Sequence, residues 1–308
     1  MRAVLFDRYG PPEVLYEGTV PDPVVKPGHV LVRVHAASVN GGEPTARAGG
    51  LKLVLGPRFP KRTGVDFAGE VVSGPGFAPG TPVWGALPRG TFGSAAEYVA
   101  VHPRQVATAP AGLDLVRAAA LPGVGTTAVT ALRDKVRLRP GERLLVRGAT
   151  GGVGHVAVQL GRAYGAHVTA LASAANLDLA RSLGADEVVD YRTDPADLGA
   201  FDVVLDMHGS DLRAYRRLLR PGGRMVAIAF RSAADVGYLL ASTALGPRRA
   251  RFFSGNPRAD LFADLTALVE DGSVEPLVDT VHPLSGAATA HRALETGGGR
   301  GKHVLRVL

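Results

Sequence analysis

Over the first third of the chain, apolar residues come in short runs closed by glycine or proline: AVLF (3–6), HVLVRVHAA (29–37), FAGEVV (67–72), TPVWG (81–85) and AAEYVAV (95–101). Alternation with a period of two, broken every few residues by turn formers, predicts strands of a compact, partly barrel-like β domain over residues 1–117. The pattern then changes. From 118 to 254, strand-like runs alternate with stretches at helical spacing. Arg143–Arg147 surrounds the apolar core Leu144-Leu145-Val146, and His155–Tyr164 carries Val156, Val158, Leu160 and Ala163 at helical spacing. His167–Ala172, EVVDY, DVVLDM and RMVAIAF continue the strands, with helices expected near Asn176–Leu183 and Asp211–Leu219. Repeated βα units imply a parallel sheet with helices on both faces. The tail, 255–308, reads as a helix at Asp260–Glu270, a strand near Leu277–Val281, a helix at Ser285–Glu295 and a closing strand HVLRVL; it is expected to complete the first domain. No repeat, low-complexity tract or disordered linker interrupts this order.

The turn after Arg147 carries chemistry. Gly148-Ala149-Thr150-Gly151-Gly152-Val153-Gly154 follows a strand and opens a helix. Positions without side chains let a pyrophosphate approach the backbone, and a helix N-terminus offers free N–H groups and a positive dipole. Aligned on its last glycine the loop reads A-x-G-x-x-G, with Ala149 where the commoner fingerprint has its first glycine. In a dinucleotide fold an acid at the end of the next strand binds the ribose 2′-hydroxyl of NAD and repels the 2′-phosphate of NADP. Here that strand ends at Ser173, with Asn176 close by and Tyr191 and Arg192 after the following strand. Neutral donors and a nearby cation suit a phosphate, so NADPH is expected over NADH. The alternative for Ser173 alone is that it caps the following helix.

Composition narrows the classes. Apolar residues make up 46% and charged residues 20%, as in ordinary globular enzymes. The absence of cysteine excludes disulfides, a thiol nucleophile and thiolate metal ligands. No apolar run approaches the roughly 20 residues needed to span a bilayer, and MRAVLFDRYG lacks a signal peptide's apolar core. A cytoplasmic protein is expected. The net charge of +7 comes from 30 Arg and 5 Lys against 28 acids. Arg213, Arg216, Arg217 and Arg220 are read as a solvated helix face; without aromatic-interleaved basic motifs, nucleic acid is disfavoured as a partner.

Taken together, MRAVLFDRYGPPEVL, LVRVHAASVNGGE, GVDFAGEVV, AEYVAV, RPGERLLVRGATGGVGHVAVQLGRAYGA, SLGADEVVDY, LRPGGRMV and GKHVLRV resemble the medium-chain dehydrogenase/reductases, in their zinc-independent quinone-oxidoreductase branch. The resemblance covers essentially the whole chain. It implies an α/β fold with a GroES-like β-rich catalytic domain (1–117, completed by 255–308) split around a Rossmann doubly wound parallel sheet (118–254), the active site in the cleft between them. It also implies a homodimer joined sheet edge to sheet edge, with Arg248–Asn256 as the edge segment.

Zinc-dependent relatives hold their metal through Cys, His and a further Cys or acid. Asn40 stands in the region of the first cysteine, and Gly64-Val65-Asp66 where Gly-His-Glu would supply the histidine; the remaining histidines (His29, His35, His102, His291) are scattered. No metal site is expected. Without a Lewis acid the hydride acceptor must be electrophilic already or be polarised by hydrogen bonds, which suits quinones and activated alkenes or enones and suits simple alcohols poorly. The resemblance assigns Asn40 to the nicotinamide region, where it can hydrogen-bond the ribose or a substrate carbonyl, or it serves as a turn residue before Gly41-Gly42. Glu43 stands in place of the usual Pro-x-Asp acid as a polar wall or proton source. Asp66 is read as a structural acceptor at a turn, and Arg47 as solvated or a substrate-side cation. Thr150, Gly151, Gly152 and Val153 should line the pyrophosphate; His208, a hydrogen-bonded loop histidine or a proton donor, and Ile228 to Phe230 should face the nicotinamide, with Phe253 packing over it or Phe252 or Phe253 belonging to the core. Ala174 and Ala175 stand where relatives often carry a cation. An NADPH-dependent reductase of quinones or conjugated carbonyls is the leading expectation. An enoyl-reducing or non-redox tailoring enzyme of secondary metabolism, or a crystallin-like RNA-binding protein that has kept the fold, are the alternatives.

Overall fold

The apolar runs fold as strands, and their order in space follows from how each covers its apolar face. The computed structural model describes every residue except 231, 245–247 and 254, and within the helix Ala233–Ala244 it leaves out the side chains at 233, 236, 240, 241, 243 and 244. Along the N-terminal part lie β1 (Arg2–Phe6), β2 (Tyr16–Thr19), β3 (Val30–Ser38), β4 (Lys61–Arg62), β5 (Asp66–Ser73), β6 (Pro82–Ala86), β7 (Tyr98–Val101) and β8 (Val106–Thr108). The middle contributes β9 (Arg143–Arg147), β10 (His167–Ala172), β11 (Glu187–Asp190), β12 (Phe201–Asp206), β13 (Leu219–Ala227) and β14 (Arg249–Phe252); the tail adds β15 (Val278–Pro283) and β16 (Lys302–Arg306).

Two units result. The first comprises Met1–Thr126, Asn256–Gly272 and Pro276–Leu308; the second comprises Thr127–Gly255 and Ser273–Glu275. In the first, β15-β16-β3-β5-β6-β8 form one sheet with β7 on β3, and β2-β1-β4 form another. Along β3, Val30, Val32 and Val34 point inward while Arg33 points out, and they meet Phe6, Phe67, Val71 and Leu305 in one core. The tail strand β16 pairs antiparallel with β3, Val304 opposite Ser38, and β3 pairs with β5, Ala36 opposite Ala68. Continued to the strand ends, that register sets Lys302 against Asn40 and Asp66 against Ser38.

The second unit is a parallel sheet in the order β11-β10-β9-β12-β13-β14. The order runs outward in both directions from β9, and since such crossovers are right-handed as a rule, the helices fall on both faces. Leu145, Leu171, Phe201, Val204 and Met225 fill the space against Leu212 and Tyr215. The switch in strand order lies beside β9, and the crevice at the carboxyl ends of the strands on either side is where such sheets take a dinucleotide. The helix after β9 begins at Gly152, three residues before the helical spacing shows, because the glycines that start it carry no pattern.

Candidate functional site

Two clusters stand out, one in each unit. In the second, β9 runs into the glycine turn and the helix Gly152–Ala163. A Cβ on Gly154 would lie 2.0 Å from the Gly148 carbonyl oxygen, so only glycine lets the turn close this tightly. The first helical N–H groups lack intrahelical acceptors and are left for an anion. Thr150 is buried and takes the Asn176 Nδ2–H on its Oγ1 at 3.4 Å, while Gly151, Gly152 and Val153 stay partly open. These residues fit the pyrophosphate of a dinucleotide.

At the end of β10, Ser173 holds the N-cap position of a short turn, yet its hydroxyl makes no capping hydrogen bond. Tyr191 donates its backbone N–H to Ala172 O at 2.9 Å, which brings it beside the same strand end. Its ring is about half exposed and lies under the Arg192 guanidinium, 5.6 Å away. Ser173, Tyr191 and Arg192 therefore sit on adjacent strand ends. Asn176 is set differently: it is 5% exposed and turned to Thr150, where it braces the glycine turn. An acid, Asp190, also ends β11, but its Oδ1 is turned into its own loop and accepts from Arg192 N at 2.9 Å.

His208 is exposed and donates its backbone N–H to Asp206 Oδ1 at 2.6 Å. Ile228 follows β13 and bonds Asp206 O through its N–H at 3.0 Å; Phe230 is exposed and meets Phe252 edge to face at 5.1 Å. Phe253 stands apart from that pair, its ring 5.8 Å from Lys135 Nζ. Of the arginines read as one solvated helix face, Arg213, Arg216 and Arg217 lie on the helix Leu212–Arg217, with Arg213 and Arg217 exposed, while Arg220 lies beyond it. Arg213 and Arg216 converge on Tyr238, Arg216 donates to Arg248 O, and Arg220, already on β13, pairs with Asp202 at 3.1 Å.

In the first unit the register gathers a buried polar cluster. Lys302 Nζ donates to Asn40 Oδ1 at 2.6 Å and Val39 O at 2.7 Å. Asn40 Nδ2 donates to Ser38 O at 3.2 Å and, more weakly, to Glu43 Oε1 at 3.4 Å. Glu43 is 2% exposed; Oε1 takes Asn40 N at 2.9 Å, and Oε2 takes Gly64 N at 2.9 Å and the Thr63 hydroxyl. With Phe6, Arg47, Lys61, Thr63 and Phe92 it walls a cavity of about 250 Å³. Asp66 opens β5 rather than a turn, and accepts from Ser38 N, Ser38 Oγ and Gly123 N. Burial pushes the Asp66 carboxyl up and the Lys302 ammonium down, each opposed by the other's charge. Nothing in the local sequence announced Lys302: its partner lies 262 residues away, and only the β16–β3 pairing joins them.

Arg47 is not solvated, although it is one of the residues that wall the cavity beside Glu43. At 2% exposure it donates to Gly10 O at 3.1 Å and Glu295 Oε1 at 2.6 Å, and meets His291 Nδ1 at 3.2 Å. Zinc does not fit this donor set. Position 65 is valine, Asn40 Oδ1 is taken by Lys302, the chain has no cysteine, and among the described residues no group of three His, Cys, Asp or Glu converges to hold a metal. Also among the described residues, no helix is long and apolar enough to cross a membrane.

Known proteins match this chain along its whole length. The alcohol dehydrogenase GroES-like domain family matches residues 26–111, and the zinc-binding dehydrogenase family matches 183–305. The mitochondrial NAD(P)H oxidoreductase RTN4IP1 of Homo sapiens is 32% identical, covering 100% of this chain and 89% of its own length. A chloroplast envelope quinone oxidoreductase homolog of Arabidopsis thaliana is 31% identical over 99% of this chain and 98% of its own. Among solved structures, the quinone oxidoreductase from Coxiella burnetii superposes with a TM-score of 0.92 at 30% identity, covering 100% of this chain and 99% of that one.

Proposed function

The chain belongs to the medium-chain dehydrogenase/reductase family, in its quinone-oxidoreductase branch, and from that premise we propose that it reduces a quinone or conjugated carbonyl with NADPH and without zinc. The dinucleotide, when bound, supplies a hydride. The observation that supports zinc-free chemistry is the Lys302–Asn40 bond of 2.6 Å, in which an ammonium occupies the side-chain oxygen of the residue standing in the region of the first cysteine ligand. Simple alcohols and unactivated carbonyls react through oxygen that a Lewis acid or a strong hydrogen-bond donor must polarise; quinones and enones are electrophilic already. Asn40 is suited to orienting such an acceptor. Its Oδ1 is fixed by Lys302, so the amide's donor end is defined, and the long 3.4 Å bond to Glu43 is the one that Nδ2 can exchange for a substrate carbonyl. Glu43, its oxygens occupied by donors from Asn40, Thr63 and Gly64, positions Asn40 and walls the adjoining cavity.

Thr150, Gly151, Gly152 and Val153 hold the pyrophosphate in this assignment. Ser173, Tyr191 and Arg192 receive the 2′-phosphate, with Asn176 bracing Thr150. The Ser173 hydroxyl, free of any capping duty, supports NADPH over NADH. Ser173→Asp puts a carboxylate there and repels the phosphate. A charge-assisted hydrogen bond contributes on the order of 1.5–3 kcal/mol, so the NADPH:NADH affinity ratio should fall by about tenfold or more. Calorimetric titration of both cofactors into wild type and variant checks this; wild type binding NADH as tightly as NADPH contradicts it.

A further inference from the structure

Immediately before the glycine turn stands a residue of the wrong kind for a strand interior. Arg147 ends β9, is 8% exposed, and spends its guanidinium on the loop that follows β12. Nη1 donates to Asp206 Oδ2 at 2.9 Å and to the Ser210 carbonyl; Nη2 donates to Ser210 Oγ at 2.8 Å and lies 3.7 Å from Asp211 Oδ2. The plane of the guanidinium is backed by the Tyr215 ring, 4.0 Å away. Asp206 has no exposed surface, and its other oxygen is already committed to the same loop, accepting His208 N at 2.6 Å and Gly209 N at 2.9 Å.

The loop so held is tight. Gly209 has φ +72, and a Cβ there would come within 2.6 Å of the Ala229 carbonyl, so the loop lies directly on the chain leaving β13. Asp211, a non-glycine residue at φ +54, is also kept in the left-handed region. Arg147 therefore ties the carboxyl end of β9 to those of β12 and β13. In a sheet of this strand order the β9–β11 half takes the adenosine side of a dinucleotide, and the β12–β14 half takes the nicotinamide side.

We propose that Arg147 is a positioning residue: through Asp206 and Ser210 it fixes the loop 207–211, and with it His208 and the exit of β13, in the shape that receives the nicotinamide half of the cofactor. It touches neither cofactor nor substrate. The fork geometry is essential to the assignment, because one planar cation reaches a carboxylate, a carbonyl and a hydroxyl together, which an ammonium does not. The inference rests on the glycine turn binding NAD(P)H.

The experiment compares two ligands. Calorimetry on wild type, Arg147→Met and Arg147→Lys measures binding of NADPH, which needs both halves of the crevice, and of 5′-ADP, which needs only the adenosine half and the glycine turn. Arg147→Met leaves Asp206 buried without its cation and is the severe variant. Arg147→Lys keeps a charge for Asp206 but loses the Ser210 contacts, and is the informative one should the first fail to fold. The NADPH dissociation constant is expected to rise about tenfold or more in Arg147→Met and by less in Arg147→Lys, with 5′-ADP affinity unchanged in whichever variant is folded. Equal weakening of both ligands shows general distortion of the glycine turn and overturns the proposal, as does unchanged NADPH affinity in a folded variant. Failure of the wild type to bind NADPH while it is folded removes the cofactor assignment itself, a result distinct from either.

Discussion

Buried charge sets the character of the first unit at the level of single residues. His291 is the clearest case: fully buried, it sits between Arg47 Nη1 at 3.2 Å and Glu43 Oε2 at 3.8 Å. Burial, reinforced by the Arg47 charge, lowers its pKa from the ordinary 6.5 to about 4. The unfolded chain therefore takes up a proton that the folded chain refuses as pH falls below 6.5. Stability from this residue is complete above that pH, declines through the window down to about 4, and levels off below it. The loss over the window is on the order of 3 kcal/mol. Urea unfolding of wild type and His291→Gln at pH 7 and pH 4.5 should show the wild type losing more on acidification. A stability difference between the two that does not change with pH contradicts this placement of the histidine. The residues of this cluster were only partly legible. Asn40 and Glu43 stand out through the segment SVNGGE and Asp66 through GVDFAG, both part of the family resemblance, but Lys302 and Glu295 acquire their meaning only when the tail returns to β3 and to Arg47.

Elements were far more legible than contacts, for a physical reason. Alternation and helical spacing are local, so β9 and β10 fall where the pattern sets them, Arg143–Arg147 and His167–Ala172. Helix starts drift, as at Gly152, because glycine carries no periodicity. Pairings between distant strands, such as β1 with β4, leave no local trace. One element carries a consequence of its own. β14 is the outer strand of the parallel sheet, its far edge unpaired within the chain among the described residues. Ser254, in the segment Arg248–Asn256 read as that edge, lies outside the described residues. A free strand edge invites pairing or aggregation, and we propose that two copies join there. Light scattering at micromolar concentration is expected to give twice the 31.9 kDa chain mass; a monomeric mass counts against it.

For the whole molecule, the division of labour follows from the chain's composition as much as from its fold. A sequence without cysteine cannot build the thiolate zinc sites of the dehydrogenases whose family pattern it matches. The strand order β11-β10-β9-β12-β13-β14 has the switch point at which sheets of this kind take a dinucleotide. In the function proposed above, the first unit orients an acceptor that is already electrophilic, with the Asn40 amide held by the buried Lys302. The most direct measurement is NADPH oxidation by tag-free protein dialysed against a chelator and shown by metal analysis to hold no zinc, assayed against simple quinones, enones and an unactivated aldehyde. Turnover with the quinones or enones at the rate of the undialysed protein, and none with the aldehyde, is the expected result. Stoichiometric zinc in the starting protein, with activity lost on its removal and restored on its return, would contradict hydride transfer without a metal.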